Sequence, residues 1–127
     1  LEYILWRERS RFGFFDASKL AAYRITSKNS VEHVHPQREE FGVELAKVHL
    51  DSFGNLVLLS PGENSSYSNQ RVGKKREDFK GKPRYDSLKL AHIFSGTAEM
   101  QWDAPAIDRH QAQMLVLIKE HYNATGT

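Results

Sequence analysis

Glu32-His33-Val34-His35-Pro36-Gln37 places a carboxylate and two imidazoles in a short β-prone run that a proline stops. A neutral imidazole accepts a proton near neutral pH, and a carboxylate holds a hard cation. The sequel, Phe53 to Asn64, is a second β-prone run, opened by Gly54-Asn55 and closed by Pro61-Gly62. Behind it come Asn64-Ser65-Ser66-Tyr67-Ser68-Asn69 and then a cluster of basic residues. Phosphodiester hydrolysis needs a general base for water and a divalent ion for the departing oxygen. In this set His33 is the candidate base. Glu32 and the Asn64 carbonyl are the candidate ion ligands. Adjacent strand residues face opposite ways, so Glu32 and His33 can serve different sides of one strand.

Two other readings compete. His33 and His35, two apart, share a strand face and could ligate one metal. With Glu39 they match the H-x-H-x(3)-E pattern of a cupin-type site. A cupin needs many short strands and a second histidine motif, yet no histidine follows Pro61-Gly62 until His92. The blandest reading makes the histidine strand structural. His49, His92, His110 and His121 are assigned to that structural or surface class.

The elements that must position these residues are legible unevenly. Tyr3-Ile4-Leu5 reads as the end of a helix, which suggests a piece of a longer protein. Asp16 could cap a short helical turn, and Tyr23-Arg24-Ile25 is weakly strand-like. Val31 to His35 and Leu56 to Leu59 are the two strands, joined by a long connection with one helical turn. In that connection Phe41, Val43, Leu45 and Val48 could pack. A helix is expected to begin at Asn64 and run towards Phe79, weakened at Gly73. Leu88 to Phe94 is a further helix. Asp103 is an N-cap candidate with Pro105 in the first turn. Ile107, Met114, Leu115, Leu117, Ile118 and Tyr122 then mark an apolar face to about Tyr122.

These motifs resemble a known family. Glu32-His33-Val34-His35-Pro36 resembles the first motif, (D/E)-H-x-x-P, of HNH nucleases. Gly54-Asn55-Leu56-Val57-Leu58-Leu59 resembles the second. Asn64, nine residues after Asn55, resembles the third in its asparagine variant. More narrowly, G-N-L-x-L-L, N-S-S-x-S-N and Lys74-Lys75 resemble the C-terminal nuclease domain of GmrSD-type modification-dependent restriction enzymes. Phosphorothioation-sensing phage-defence proteins carry a similar domain. Trp102, Ile107-Asp108-Arg109 and Leu115 resemble that family's C-terminal pattern.

The resemblance implies an α+β fold: a ββα-metal (HNH) core over 30–80, a lead-in over 1–29 and helical packing over 81–127. His33 would be the general base, and Glu32 and Asn64 would hold the metal, Mg2+ or alternatively Mn2+. Asn55 would brace the loop between the strands. His35 and Asn69 would be accessory. Arg71, Lys74, Lys75 and Arg76 would hold the DNA backbone. The expected function is a metal-dependent DNA endonuclease or nicking domain, the effector of an antiphage restriction system. Its other partner would be an N-terminal NTP-dependent sensor region of the parent protein or complex. A catalytically inactive HNH fold that only binds DNA is the alternative.

Composition is compatible with this. Length suits one domain, and no apolar run approaches the roughly 20 residues of a membrane span. No signal-peptide pattern opens the chain. The absence of cysteine excludes disulfides and thiolate metal sites, zinc-stapled HNH variants included. It fits a reducing cytoplasm, the expected location. Net charge is only +2, but eight basic residues face three acids between Arg71 and Lys89. A concentrated basic segment is the footprint expected for a phosphate backbone.

Overall fold

The computed structural model describes residues 1–25, 30–36, 46–67, 70, 72–95 and 102–124. Gln37, Glu39, Phe41, Val43, Leu45, Asn69 and Arg71, all named above, lie outside the described residues. The fold is α+β, mostly helical, with one two-stranded antiparallel sheet. In chain order the elements are α1 (Glu2–Arg7), α2 (Ala17–Ala22), β1 (Ser30–His33), α3 (Lys47–Leu50), β2 (Leu56–Leu59), α4 (Pro61–Tyr67), α5 (Val72–Lys80), α6 (Leu88–Ser95) and α7 (Ala104–Ala124). Single 3-10 turns occupy Arg9–Arg11 and Phe53–Asn55.

The hairpin pairs Ser30 with Leu59, Val31 with Leu58, Glu32 with Val57 and His33 with Leu56. Strand alternation sorts these pairs. Val57 and Leu59 point into the core, whereas Val31 and Leu58 are about half exposed. Glu32, opposite Val57, therefore faces inward, and His33 faces the other side. A Val34 N–H to Asn55 carbonyl bond (2.9 Å) continues the ladder past β1.

Several expected boundaries move. Pro61-Gly62 follows the end of β2 at Leu59, as expected, but it also opens α4, ahead of the expected helix start at Asn64. Proline suits the first helical position because the N–H it lacks has no intrahelical partner there. The expected single helix from Asn64 is two, α4 and α5, and Gly73 sits in the first turn of α5. Tyr23-Arg24-Ile25 forms no strand: Tyr23 ends α2, stacks on Trp6 and donates its hydroxyl to Glu2 (2.8 Å). Val48 is exposed. Asp16 does cap α2, accepting from the Ser18 and Lys19 amides at 2.9 and 3.1 Å. The Ser18 hydroxyl and these amides hold its carboxyl below the usual range.

The core joins Leu5, Val34, Leu59, Leu88, Ile93, Phe94, Ile107 and Met114, from both halves of the chain. α7 begins as expected, with Asp103 accepting from the Ala106 amide (3.1 Å). Ile107, Met114 and Leu117 are its buried face, while Leu115 and Tyr122 lie outside it. α1 packs on α6 and α7. The Glu2 carboxylate accepts the Leu88 and Lys89 amides at 2.6 and 2.9 Å, satisfying donors at the start of α6. A two-stranded sheet among the described residues is not the double-sheet barrel of a cupin.

Candidate functional site

The site begins at the end of β1. His33 Nε2 lies 3.1 Å from Asp51 Oδ1, at the C-terminal end of α3. A carboxylate can only accept, so Nε2 carries the proton and the Nδ1 lone pair is left to take one. The imidazole side chain is 20% exposed and reachable by water.

What fixes His33 is the next turn. Asn55 is fully buried. Its Oδ1 accepts from the His35 amide (2.8 Å) and from Trp102 Nε1 (2.9 Å). Its Nδ2 donates to the carbonyls of His35 (3.2 Å) and Leu50 (2.9 Å). Both donors and both acceptor positions of the amide are used. The side chain ties β1, the end of α3 and Trp102 to one point.

The C-terminal helices hold this turn in place. The Gly54 amide donates to Gln111 Oε1 (2.9 Å), and a Cβ on Gly54 would lie 2.5 Å from the Ile107 carbonyl. Lys89, from α6, donates to the carbonyls of Phe53 and Leu56, both at 2.6 Å. Burial pushes its ammonium down to about 8.

On the inner face Glu32 is 7% exposed. Its Oε1 accepts from Lys75 Nζ at 3.1 Å, and Lys75 also donates to the His33 carbonyl at 2.7 Å. Its Oε2 is buried without a hydrogen-bond partner among the described residues. Burial pushes the carboxyl up, and the Lys75 ammonium opposes that. Asn64, from α4, donates Nδ2 to Ser30 Oγ and to the Val31 carbonyl (3.4 Å). Both uses fall on the amide nitrogen, so the carbonyl oxygen is the donor atom left for a cation. Among the described residues no three His, Asp or Glu side chains converge as a metal cluster.

The expected DNA-contacting residues divide. Lys74 is half exposed and pairs with Asp78 at 3.5 Å. Lys75, expected on the surface, is 1% exposed and turned onto Glu32. Its ammonium is therefore not offered to a phosphate. Arg76 is half-buried and donates Nε to the Phe94 carbonyl (3.1 Å). His35 is buried, with Nδ1 3.2 Å from the Pro36 carbonyl.

Asp51 was not among the expected site residues, because a lone aspartate in a turn carries no distinguishing signal. Lys75 had one. Val72, Lys75 and Phe79 are the buried residues of α5, at helical spacing, so the period places Lys75 on the apolar stripe.

A small antiparallel hairpin runs straight into a helix, with a histidine–aspartate pair at its mouth, and helices pack around it. Such an arrangement suits a nuclease-like α+β domain. The family described as "GmrSD restriction endonucleases, C-terminal domain" matches residues 1–117. The chain belongs to that restriction-endonuclease domain family. No curated protein and no solved structure matches it. No helix among the described residues is long and apolar enough to cross a membrane.

Proposed function

We propose that this domain is a metal-dependent DNA endonuclease or nickase with a ββα-metal (HNH) core. The observation that carries the reading is the His33–Asp51 pair at 3.1 Å, on a strand end locked by Asn55. His33 takes the proton of the attacking water at Nδ1. Asp51 is a positioning residue: it fixes the tautomer and turns the ring. Asn55 holds the backbone that carries both.

The donor chemistry fits a hard divalent ion, since Glu32 Oε2 is buried and unpartnered among the described residues and Asn64 has a carbonyl oxygen to give. Glu32 and Asn64 would hold it; Mg2+ suits this oxygen set and Mn2+ is the alternative. The ion, when bound, neutralises charge on the phosphate and leaving oxygen. Lys75 keeps the inward carboxylate from being an isolated buried charge. Lys74 supports the DNA backbone, and Arg71 belongs with it as a further candidate. Through its family the domain is proposed to serve antiphage restriction in the cytoplasm. An NTP-dependent sensor region of the parent protein would select the target.

His33→Ala is expected to lower plasmid nicking in Mg2+ or Mn2+ by about 10²–10⁴-fold, the usual worth of a general base. Nicking at the wild-type rate would sink the assignment. A second reading, an inactive HNH fold that binds DNA, is favoured by one observation: an ammonium already sits on Glu32 Oε1. DNA retained in a gel shift and left uncut across Mg2+, Mn2+ and Ca2+ would select it.

A further inference from the structure

The fold contains a second concavity that the cleavage reading leaves unused. A cavity of about 290 Å3 lies between the Phe12–Phe14 turn and α7, walled by Phe12, Phe14, His92, Trp102, Arg109 and His110. It adjoins another of about 350 Å3 that shares Phe12 and His92. We propose that this cavity binds a planar nitrogen heterocycle of the nucleobase type, presented by unpaired DNA.

Its walls are aromatic, and several of the ring pairs meet at steep angles. His92 lies edge-on to Phe12 (84°) and Phe14 (80°), and Trp102 meets His110 at 66°. Edge-to-face pairs do not use up both faces of each ring, and a flat guest stacks on such faces whatever its sequence. His110 is 3% exposed, yet its Nε2 has no hydrogen-bond partner among the described residues. A buried polar atom left unpaired costs stability, and a guest with a polar edge would complete it. An aliphatic guest would not.

The polar chemistry of the wall narrows the class. Burial holds both imidazoles in the uncharged form, His110 down at about 3. Each therefore offers one N–H and one lone pair. Among the described lining residues Arg109 alone is charged, and it is exposed. This suits a neutral heterocycle with donors and acceptors on its rim better than a free anion. The volume is at the lower limit of ordinary ligand sites, about 300 Å3, which favours one or two fused rings.

The site is wired to the cleavage strand. Trp102 Nε1 and the His35 amide share Asn55 Oδ1. A base resting on Trp102 is therefore two hydrogen bonds from the His35 amide, two residues beyond His33. Only the choice of a nucleobase as guest rests on the DNA-cleaving reading; the cavity and its unpaired nitrogen do not.

Of the two tryptophans, Trp6 can be replaced by phenylalanine so that Trp102 reports alone. The metal-free W6F protein is titrated with each 2′-deoxynucleoside, with a single-stranded oligonucleotide and with inorganic phosphate. A saturable change in Trp102 fluorescence is expected with at least one nucleoside or with the oligonucleotide. Affinity is expected to fall at least tenfold in Arg109→Ala and in His110→Leu, each checked for folding by circular dichroism. If His110→Leu does not fold, the surface variant Arg109→Ala decides alone. No response to nucleosides and oligonucleotide overturns the proposal. So does equal binding in the variants, or equal competition by phosphate. Plasmid nicking is measured alongside: a protein that nicks but does not respond keeps the cleavage reading and loses this one.

Discussion

Lys75 and Lys74 are neighbours in sequence with opposite surroundings, and they predict opposite phenotypes. Lys75 is the buried partner of Glu32. Lys75→Ala should cost about 3–5 kcal/mol in urea unfolding, because it strands a buried carboxylate. Glu32→Gln combined with Lys75→Met should restore a large part of that, as an apolar replacement avoids both desolvation costs. Lys74→Ala should leave stability within about 0.5 kcal/mol. It should instead weaken DNA binding and lower the slope of log affinity against log salt by about 1. At the base itself, Asp51→Asn is expected to lower kcat by on the order of tenfold with KM for plasmid unchanged. A matched rise in KM would point to DNA binding instead.

The 3-10 turn at Phe53–Asn55 is the element on which the site depends, and its glycine has a packing reason. Gly54→Ala would drive a Cβ into the Ile107 carbonyl and Gln111. A loss of about 1–3 kcal/mol is expected. Gly73 has open space around it inside α5, so Gly73→Ala should stabilise by about 0.5–1 kcal/mol. Thermal melts of the two variants should therefore move in opposite directions. Much at this scale was readable beforehand. β2 announces itself by Gly54-Asn55 and by a β-prone run, and α7 by Asp103 and its apolar spacing. The start of α4 was not readable, because Pro61-Gly62 is as good a strand terminator as a helix opener. Tyr23-Arg24-Ile25 has β-prone residues but, among the described residues, no neighbouring strand to pair with. Asp51 meets His33 across 18 residues, a proximity that only the folded chain creates. Glu32, by contrast, reads as a ligand from its motif, yet the ammonium on it depends on how α5 lies against β1.

At the scale of the whole molecule, buried imidazoles make the fold acid-sensitive. His110 sits at about 3 and His92 is lowered too, both chiefly by burial; the fields of His92 and Lys89 add to the effect on His110. Their unfolded values lie near 6.5, so the unfolded chain binds more protons below that pH. The stability they permit is present above about pH 6.5 and is lost as pH falls towards 3. The slope per group is at most about 1.4 kcal/mol per pH unit. Unfolding midpoints measured from pH 7 to pH 4 should fall, and His110→Phe should flatten the curve. A flat wild-type profile would contradict the buried, uncharged state of both rings.

The capping of α6 by Glu2 has a temporal side. The carboxylate of residue 2 receives amides 86 and 87 positions further on. As a ribosome delivers the chain from its N-terminal end, α1 emerges long before the helix it caps. Until α6 is out, that carboxylate has no amides to meet, and Leu5 lacks its partners from the later helices. Closure over such a separation is slow compared with local pairing. The domain should therefore gain protection from a protease in a single late step, after α6 has been synthesised, rather than element by element.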